Sequence, residues 1–151
     1  MPSSRENVIR NLQATLESMS EGTGYRFDYH RFYLEFIDRN PDKFPSGMVE
    51  VGRESVEARA YPLLERSLEF LVHSVHMAHR DAQDTPSSIA SMMIEDVERA
   101  VMQDVTRGGN AFETMVTYNE RIQVEEPAVY VIVGIQVKYR TNLTDPASVV
   151  N

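Results

Sequence analysis

Three histidines spaced by threes, His73, His76 and His79, are the first residues whose type and spacing suggest chemistry. On a helix, His73 and His76 approach one another closely enough to share a metal ion. On a strand, His76 points away from the other two and the set dissolves. No carboxylate completes a pattern such as His-Glu-x-x-His, where two histidines one turn apart hold zinc beside a general base. Carboxylates cluster instead at Glu95, Asp96 and Glu98, and again at Glu125-Glu126. Paired acids do acid–base work only across a cleft. At 95–98 the surrounding pattern places them on the solvent side of an amphipathic helix. The segment Tyr25-Arg26-Phe27-Asp28-Tyr29-His30-Arg31-Phe32 interleaves rings and cations, as single-stranded nucleic-acid platforms do. Half those rings must face a core in any case, so a core strand with a polar outer face is the preferred reading. Gly22-x-Gly24 lacks the glycine and lysine of a phosphate loop, and there is no Gly-x-Ser-x-Gly elbow. No catalytic residue, cofactor site or metal site is expected, and the chain reads as a non-enzyme.

The elements that position these residues come from the apolar spacing. Residues 4–19 form an amphipathic helix through Val8, Ile9, Leu12, Leu16 and Met19, opened by a Ser3/Glu6 capping box and broken at Gly22 and Gly24. Tyr25, Phe27 and Tyr29 alternate as in a strand, and the phase then slips at Arg31-Phe32, where either a bulge or a helical turn fits. A short strand over Met48–Gly52 precedes a charged, weakly patterned stretch. Leu64 to Met77 alternates over a long run, with Arg66, Leu68, Phe70, Val72 and Ser74 on one side. Helical spacing also fits part of it, and its β-branched and aromatic content favours a strand. Thr85 caps a second helix with Pro86 at its first position, and Ile89, Met92, Met93, Val97, Ala100 and Val101 form its apolar stripe. Gly108-Gly109 supplies the positive φ that ends this unit. Two alternating strands follow, near 112–124 and 128–140, joined through Glu125-Glu126-Pro127, and residues from about 142 read as a loose tail.

The resulting fold is a single α+β domain, with two helices packed on one face of a largely antiparallel, four- to five-stranded sheet. The opposite sheet face, or its edges, is left to find cover. With 151 residues, 42% apolar and 25% charged, the chain is long enough for one real core and far from disorder. It has no cysteine, so disulfides and thiolate metal sites are excluded. No apolar run approaches the ~18 residues of a membrane span, and the first residues lack the apolar core of a signal peptide. The net charge of −8 argues against nucleic-acid binding, which draws on Lys and Arg, but suits a surface along which DNA slides without sticking.

The second half carries a resemblance. The helix Ser87–Gln103, with Ile94-Glu95-Asp96-Val97-Glu98-Arg99-Ala100-Val101, is followed by Asp104 and Gly108-Gly109. Then come Thr114, an acidic hairpin connection, Ala128, Tyr130 to Tyr139 closing on Val-Lys-Tyr-Arg, and Asp145-Pro146. This order resembles the tail terminator proteins of long-tailed bacteriophages, also called tail completion or minor tail proteins. The resemblance covers about residues 84–146 and is architectural before that. The aromatic segment at 25–36 and the histidine-bearing strand depart from it.

The resemblance implies a structural virion protein whose copies close into a hexameric ring at the tail–neck junction, assembled in the host cytoplasm. The ring would cap the tail tube protein, end its polymerisation and join the head–tail connector, with DNA only as passing cargo in its lumen and no membrane partner. The loop and hairpin from Asp38 to Pro62 are the expected tube or subunit contact, through Asp38, Lys43, Phe44, Met48, Arg53, Glu54, Glu57 and Arg59. The strand edges near 112–124 or 128–140 are a second. Another neck component and a cellular ligand-binding α/β domain stand as alternatives.

Overall fold

The structure, a computed structural model, describes residues 3–35, 43–59, 61–78, 84–142 and 144–150. Helix α1 spans Ser4–Glu17 and starts where the Ser3 hydroxyl accepts a hydrogen bond from the Glu6 N–H at 3.0 Å. That bond satisfies one of the amide groups a helix start leaves unpaired. The Glu6 carboxylate turns forward to Arg10, so an i,i+4 ion pair replaces the reciprocal half of the expected capping box. Val8, Leu12 and Leu16 are fully buried along one stripe.

The rings at 25, 27 and 29 predict a strand, but the strand begins only at Phe32. The amides of this segment are already committed elsewhere: Tyr25 N–H to the Ser20 carbonyl, Tyr29 N–H to Met19 and His30 N–H to Pro45. An extended segment without a ladder satisfies the same period-two burial, with Tyr29 buried and Phe27 packed on the core. Strand β1 is the short run Phe32–Leu34, parallel to the start of β2, which spans Ser46–Ala58. The register of β2 slips between Val51 and Glu54. A bulge there shifts the alternation by one, which is why 53–58 looks unpatterned in the sequence although the strand is continuous. Strand β3, Leu63–Met77, is the long strand its alternation predicts.

Helix α2, Pro86–Met102, begins on the Thr85 hydroxyl, which accepts from the Ser88 N–H. Its far end is closed by Arg107, a fully buried cation with φ +48 whose Nη2 donates to the carbonyls of Val101 and Asp104. Gly108 and Gly109 carry the positive φ that the turn needs. Burial would raise the Asp104 carboxyl, but bonds from Thr106 and the Gly108 N–H hold it below its ordinary value. Strands β4, Glu113–Ile122, and β5, Ala128–Asn142, complete the main sheet.

The sheet order is β1-β2-β3-β5-β4, antiparallel at every pairing except β1–β2. The residues expected as a loose tail are corrected here: Asp145–Val149 form β6, paired antiparallel with β5. Pairing between β4 and β5 begins only at Glu113–Lys138, so the last residues of β5 offer an open edge that the returning chain fills. The expectation for 128–140 is also corrected, because β5 is central, with β3 on one side and β4 on the other. Its edge cannot carry a subunit contact.

Both helices lie on one face, as expected. Strand residues alternate between faces, and the core joins Val8, Leu12, Leu16, Val97 and Val101 to Leu68, Phe70, Val72, Val133, Ile135 and Val137. A second cluster joins Ile89, Ala90 and Met93 to Val129 and Val131. The even-numbered residues of β3 and the odd-numbered residues of β5 therefore meet the helices, and the other parity faces away.

Asp96 is the exception among the acids expected on the solvent side of α2. It is buried, accepting from the Tyr29 hydroxyl at 2.9 Å and the Arg26 N–H at 3.1 Å. It ties the ladderless segment to α2, while Glu95 stays outside and pairs with the Arg26 side chain. Burial outweighs these bonds and nearby cations and raises the Asp96 carboxyl above its ordinary value of 3.8. The folded state thus holds this proton more tightly than the unfolded chain does. Stability should fall as pH rises from about 3.8 through the raised folded value. Thermal unfolding across that range should show this slope in the natural chain and lose it in Asp96→Asn. Asp96→Ala should cost about 1–3 kcal/mol by stranding the buried Tyr29 hydroxyl and the part-buried Arg26 N–H.

Two glycines allow close approaches between strands. A Cβ on Gly47 would sit 1.9 Å from the His73 carbonyl oxygen, whereas one on Gly134 would first meet the side chains of Tyr118 and Thr117. Gly47→Ala should cost about 3 kcal/mol, at the upper end for an overpacked site. Gly134→Ala should cost less, and that cost should shrink in a Tyr118→Ala background, all read by urea unfolding.

Candidate assembly surface

Residues 128–133 of β5 are apolar at both parities, Ala-Val-Tyr-Val-Ile-Val. Only one parity is consumed by the helices, so Ala128, Tyr130 and Ile132 look out from the other face. With Val75 of β3 and Ile122 and Val124 at the β4–β5 connection, they line an apolar groove of about 370 Å³. Val75 and Ile132 form its deep side and Val124, 39% exposed, its rim.

A polar relay stands beside the groove. His73 is 8% exposed, with Nε2 2.8 Å from a Glu50 oxygen and Nδ1 2.5 Å from the Tyr130 hydroxyl. An ionised Glu50 only accepts, so Nε2 carries a proton and a neutral ring uses Nδ1 to accept from the Tyr130 O–H. The relay holds Tyr130 in place as a wall of the groove. Tyr118 lies across Gly134 on the same face. Burial, then the Glu120 and Glu50 carboxylates, raise its phenol above the ordinary value. The groove end of this face is acidic, with Glu50, Glu120, Glu125 and Glu126 around it. Among the described residues, the last three form no ion pair.

The opposite end of the face is the β2–β3 hairpin. Arg59 is held by Glu65 at 2.6 Å and Glu57 at 3.4 Å, and Tyr61 at the tip is 81% exposed. On the helix side of the hairpin, Glu54 accepts from Arg66 at 3.0 Å and from the Tyr139 hydroxyl at 2.6 Å.

The two sheet edges differ. At β1, the Phe32 N–H donates to the Glu17 carboxylate and the Phe32 carbonyl accepts from Gln13, so α1 side chains blunt that edge. At β4, among the described residues no strand pairs with the outer side.

The residues expected to make contacts divide accordingly. Asp38 lies outside the described residues. Lys43 and Phe44 lead into β2, Met48 sits opposite His73, and Arg53 is exposed at the bulge. Glu57 and Arg59 share the hairpin end. Glu54 instead belongs to the internal network with Arg66 and Tyr139, where its side chain is 14% exposed.

The histidines part company: His76 packs edge-on against Phe27 on the helix face, His73 lies on the other face, and His79 is outside the described residues. Among the described residues, no three His, Asp or Glu side chains gather as a metal site, and no helix is long and apolar enough to cross a membrane. The spacing argument missed Glu50, Tyr118 and Tyr130. The signal available was the doubly apolar run at 128–133. No protein-family model matches the chain, and no curated protein matches its sequence.

Tyr130→Phe keeps the ring but strands the buried Nδ1 of His73. It should cost about 1–2 kcal/mol in urea unfolding. A change within about 0.5 kcal/mol, as at ordinary surface sites, would show that the relay holds nothing.

Proposed function

We propose that this chain is a structural subunit that completes itself in a ring, and that the ring is of the phage tail-terminator kind. One observation carries the first half of the reading. Both helices cover the same side of the sheet, while the other side presents an apolar groove and borders β4, an edge strand whose outer side no strand pairs among the described residues. An open β edge and an uncovered apolar surface are features that partner chains cover. Contacts between different patches of identical copies close into a ring when the rotation allows. The second half is supported by the sequence order over 84–146, from the capped helix through the Asp104–Gly109 turn to the β4–β5 hairpin. The net charge of −8 suits a lumen through which DNA passes without adhering. The ring caps the tail tube, ends its growth and presents a surface to the head connector, and it carries out no catalysis.

The test is to measure the mass of the purified protein across concentrations, and to image it after mixing with tail tubes and, separately, with DNA-filled heads. A ring-sized mass and tubes capped at one end are expected. Binding to heads alone would assign the chain to another neck component. A protein that stays monomeric throughout and leaves tubes untouched would overturn the reading.

A further inference from the structure

We infer that Tyr61 at the tip of the β2–β3 hairpin is a knob that fills the apolar groove of a neighbouring copy of this chain. The inference rests on the ring reading for its identical neighbours and adds which parts meet. Tyr61 is 81% exposed, by far the most exposed large hydrophobic side chain among the described residues. A tyrosine ring has about 150–250 Å² of surface to bury, and its hydroxyl wants a polar partner. The groove supplies both needs. Its walls are Val75, Ile122, Val124, Ala128 and Ile132, and its polar group is the Tyr130 hydroxyl, itself anchored through His73 to Glu50.

Position makes the contact intermolecular. Tyr61 lies two residues before the start of β3, whereas Val75 lies near the other end of that strand. Twelve residues of strand at about 3.3 Å each separate them by roughly 40 Å. A molecule therefore cannot fill its own groove, and the knob and the hole point a chain of copies head to tail. Heterologous contacts of this kind generate rings or filaments rather than two-fold dimers.

Charge agrees with that direction. The groove end carries Glu50, Glu120, Glu125 and Glu126. The hairpin end of the same face mixes charges: Lys138 and Arg140, the latter stacked on Phe112 at 4.1 Å, and Arg53 at the bulge stand beside Glu113, which lies opposite Lys138, while Glu57 and Glu65 are held by Arg59. Among the described residues, Arg53 and Lys138 form no ion pair. Docking one end on the next brings unpaired cations toward unpaired carboxylates. The knob alone is smaller than the roughly 1,200–2,000 Å² of a stable interface. It acts as the anchor at the centre of a wider contact between sheet faces.

Two variants test this, one on each side of the contact. Tyr61→Ala removes the knob at an exposed tip. Val124→Glu places a charge on the exposed rim of the groove. Circular dichroism checks that both fold, and native mass spectrometry reads assembly. Each variant alone should weaken self-association at least about 30-fold, as loss of an interface anchor does. Mixed one to one, they should form heterodimers and stop, because one intact knob meets one intact groove and no further contact is available. Tyr61→Ala protein that still assembles like the natural chain overturns the knob while leaving the ring standing. The same holds if Val124→Glu alone abolishes tube capping, because the groove would then belong to the tube. A natural chain that never self-associates, in solution or on tubes, overturns both.

Discussion

Strand β5 is hydrogen-bonded along both edges and has two apolar faces at its amino-terminal end, yet among the described residues helices cover only one of them. Alternation sends Val129, Val131, Val133, Ile135 and Val137 under α1 and α2, where they are buried among the helix stripes. The same alternation sends Ala128, Tyr130 and Ile132 to the other side. No shift of register relieves this, since a one-residue slip would only exchange the faces. The asymmetry of the sheet follows from that one strand. The groove, the acidic rim and the relay through His73 all lie on the side the helices leave open.

Much of this architecture is legible in the sequence because it rests on short-range rules. Thr85 and Pro86 announce α2, Ser3 announces α1, and Gly108-Gly109 announce the turn, each through backbone groups within four residues. The long alternation of 64–77 likewise identifies β3. Elements whose partners lie far along the chain are less visible. Tyr25, Phe27 and Tyr29 alternate as a strand would, but the amides of Tyr25 and Tyr29 are taken by the Ser20 and Met19 carbonyls and that of Arg26 by a carboxylate on α2. Asp96 reads as a solvated acid until Tyr29 and Arg26 are brought to it. The bulge in β2 erased a pattern that was present on both sides of it. The tail became β6 because β5 outlasts β4, which no local spacing reveals.

The candidate surface shows the same division. The residues Arg53, Glu57 and Arg59 were legible as a charged, weakly patterned stretch; Glu57 and Arg59 share the hairpin end, whereas Arg53 sits at the bulge midway along β2. Glu54, between them in sequence, turns to the helix face because the bulge reverses its parity, and there it meets Arg66 and Tyr139. His73 stood out for its spacing with His76 and His79, yet its surroundings are set by cross-strand neighbours. Glu50 comes from β2 and Tyr130 from β5. The histidine is thus a fixture of the open face, supporting a wall of the groove, and the triad that its spacing suggests does not form.

The open face gives the account its sharpest consequence, because it places comparable side chains on opposite surfaces of one domain. Met115 and Tyr118 lie on the side away from the helices, and Met102 lies at the end of α2 with similar exposure. Hydroxyl-radical footprinting of the dilute protein and of the protein mixed with tail tubes would compare them within one molecule. The account predicts that oxidation of Met115 and Tyr118 falls several-fold on assembly while Met102 changes little. Unchanged oxidation of Met115 and Tyr118, or protection confined to Met102, would contradict it.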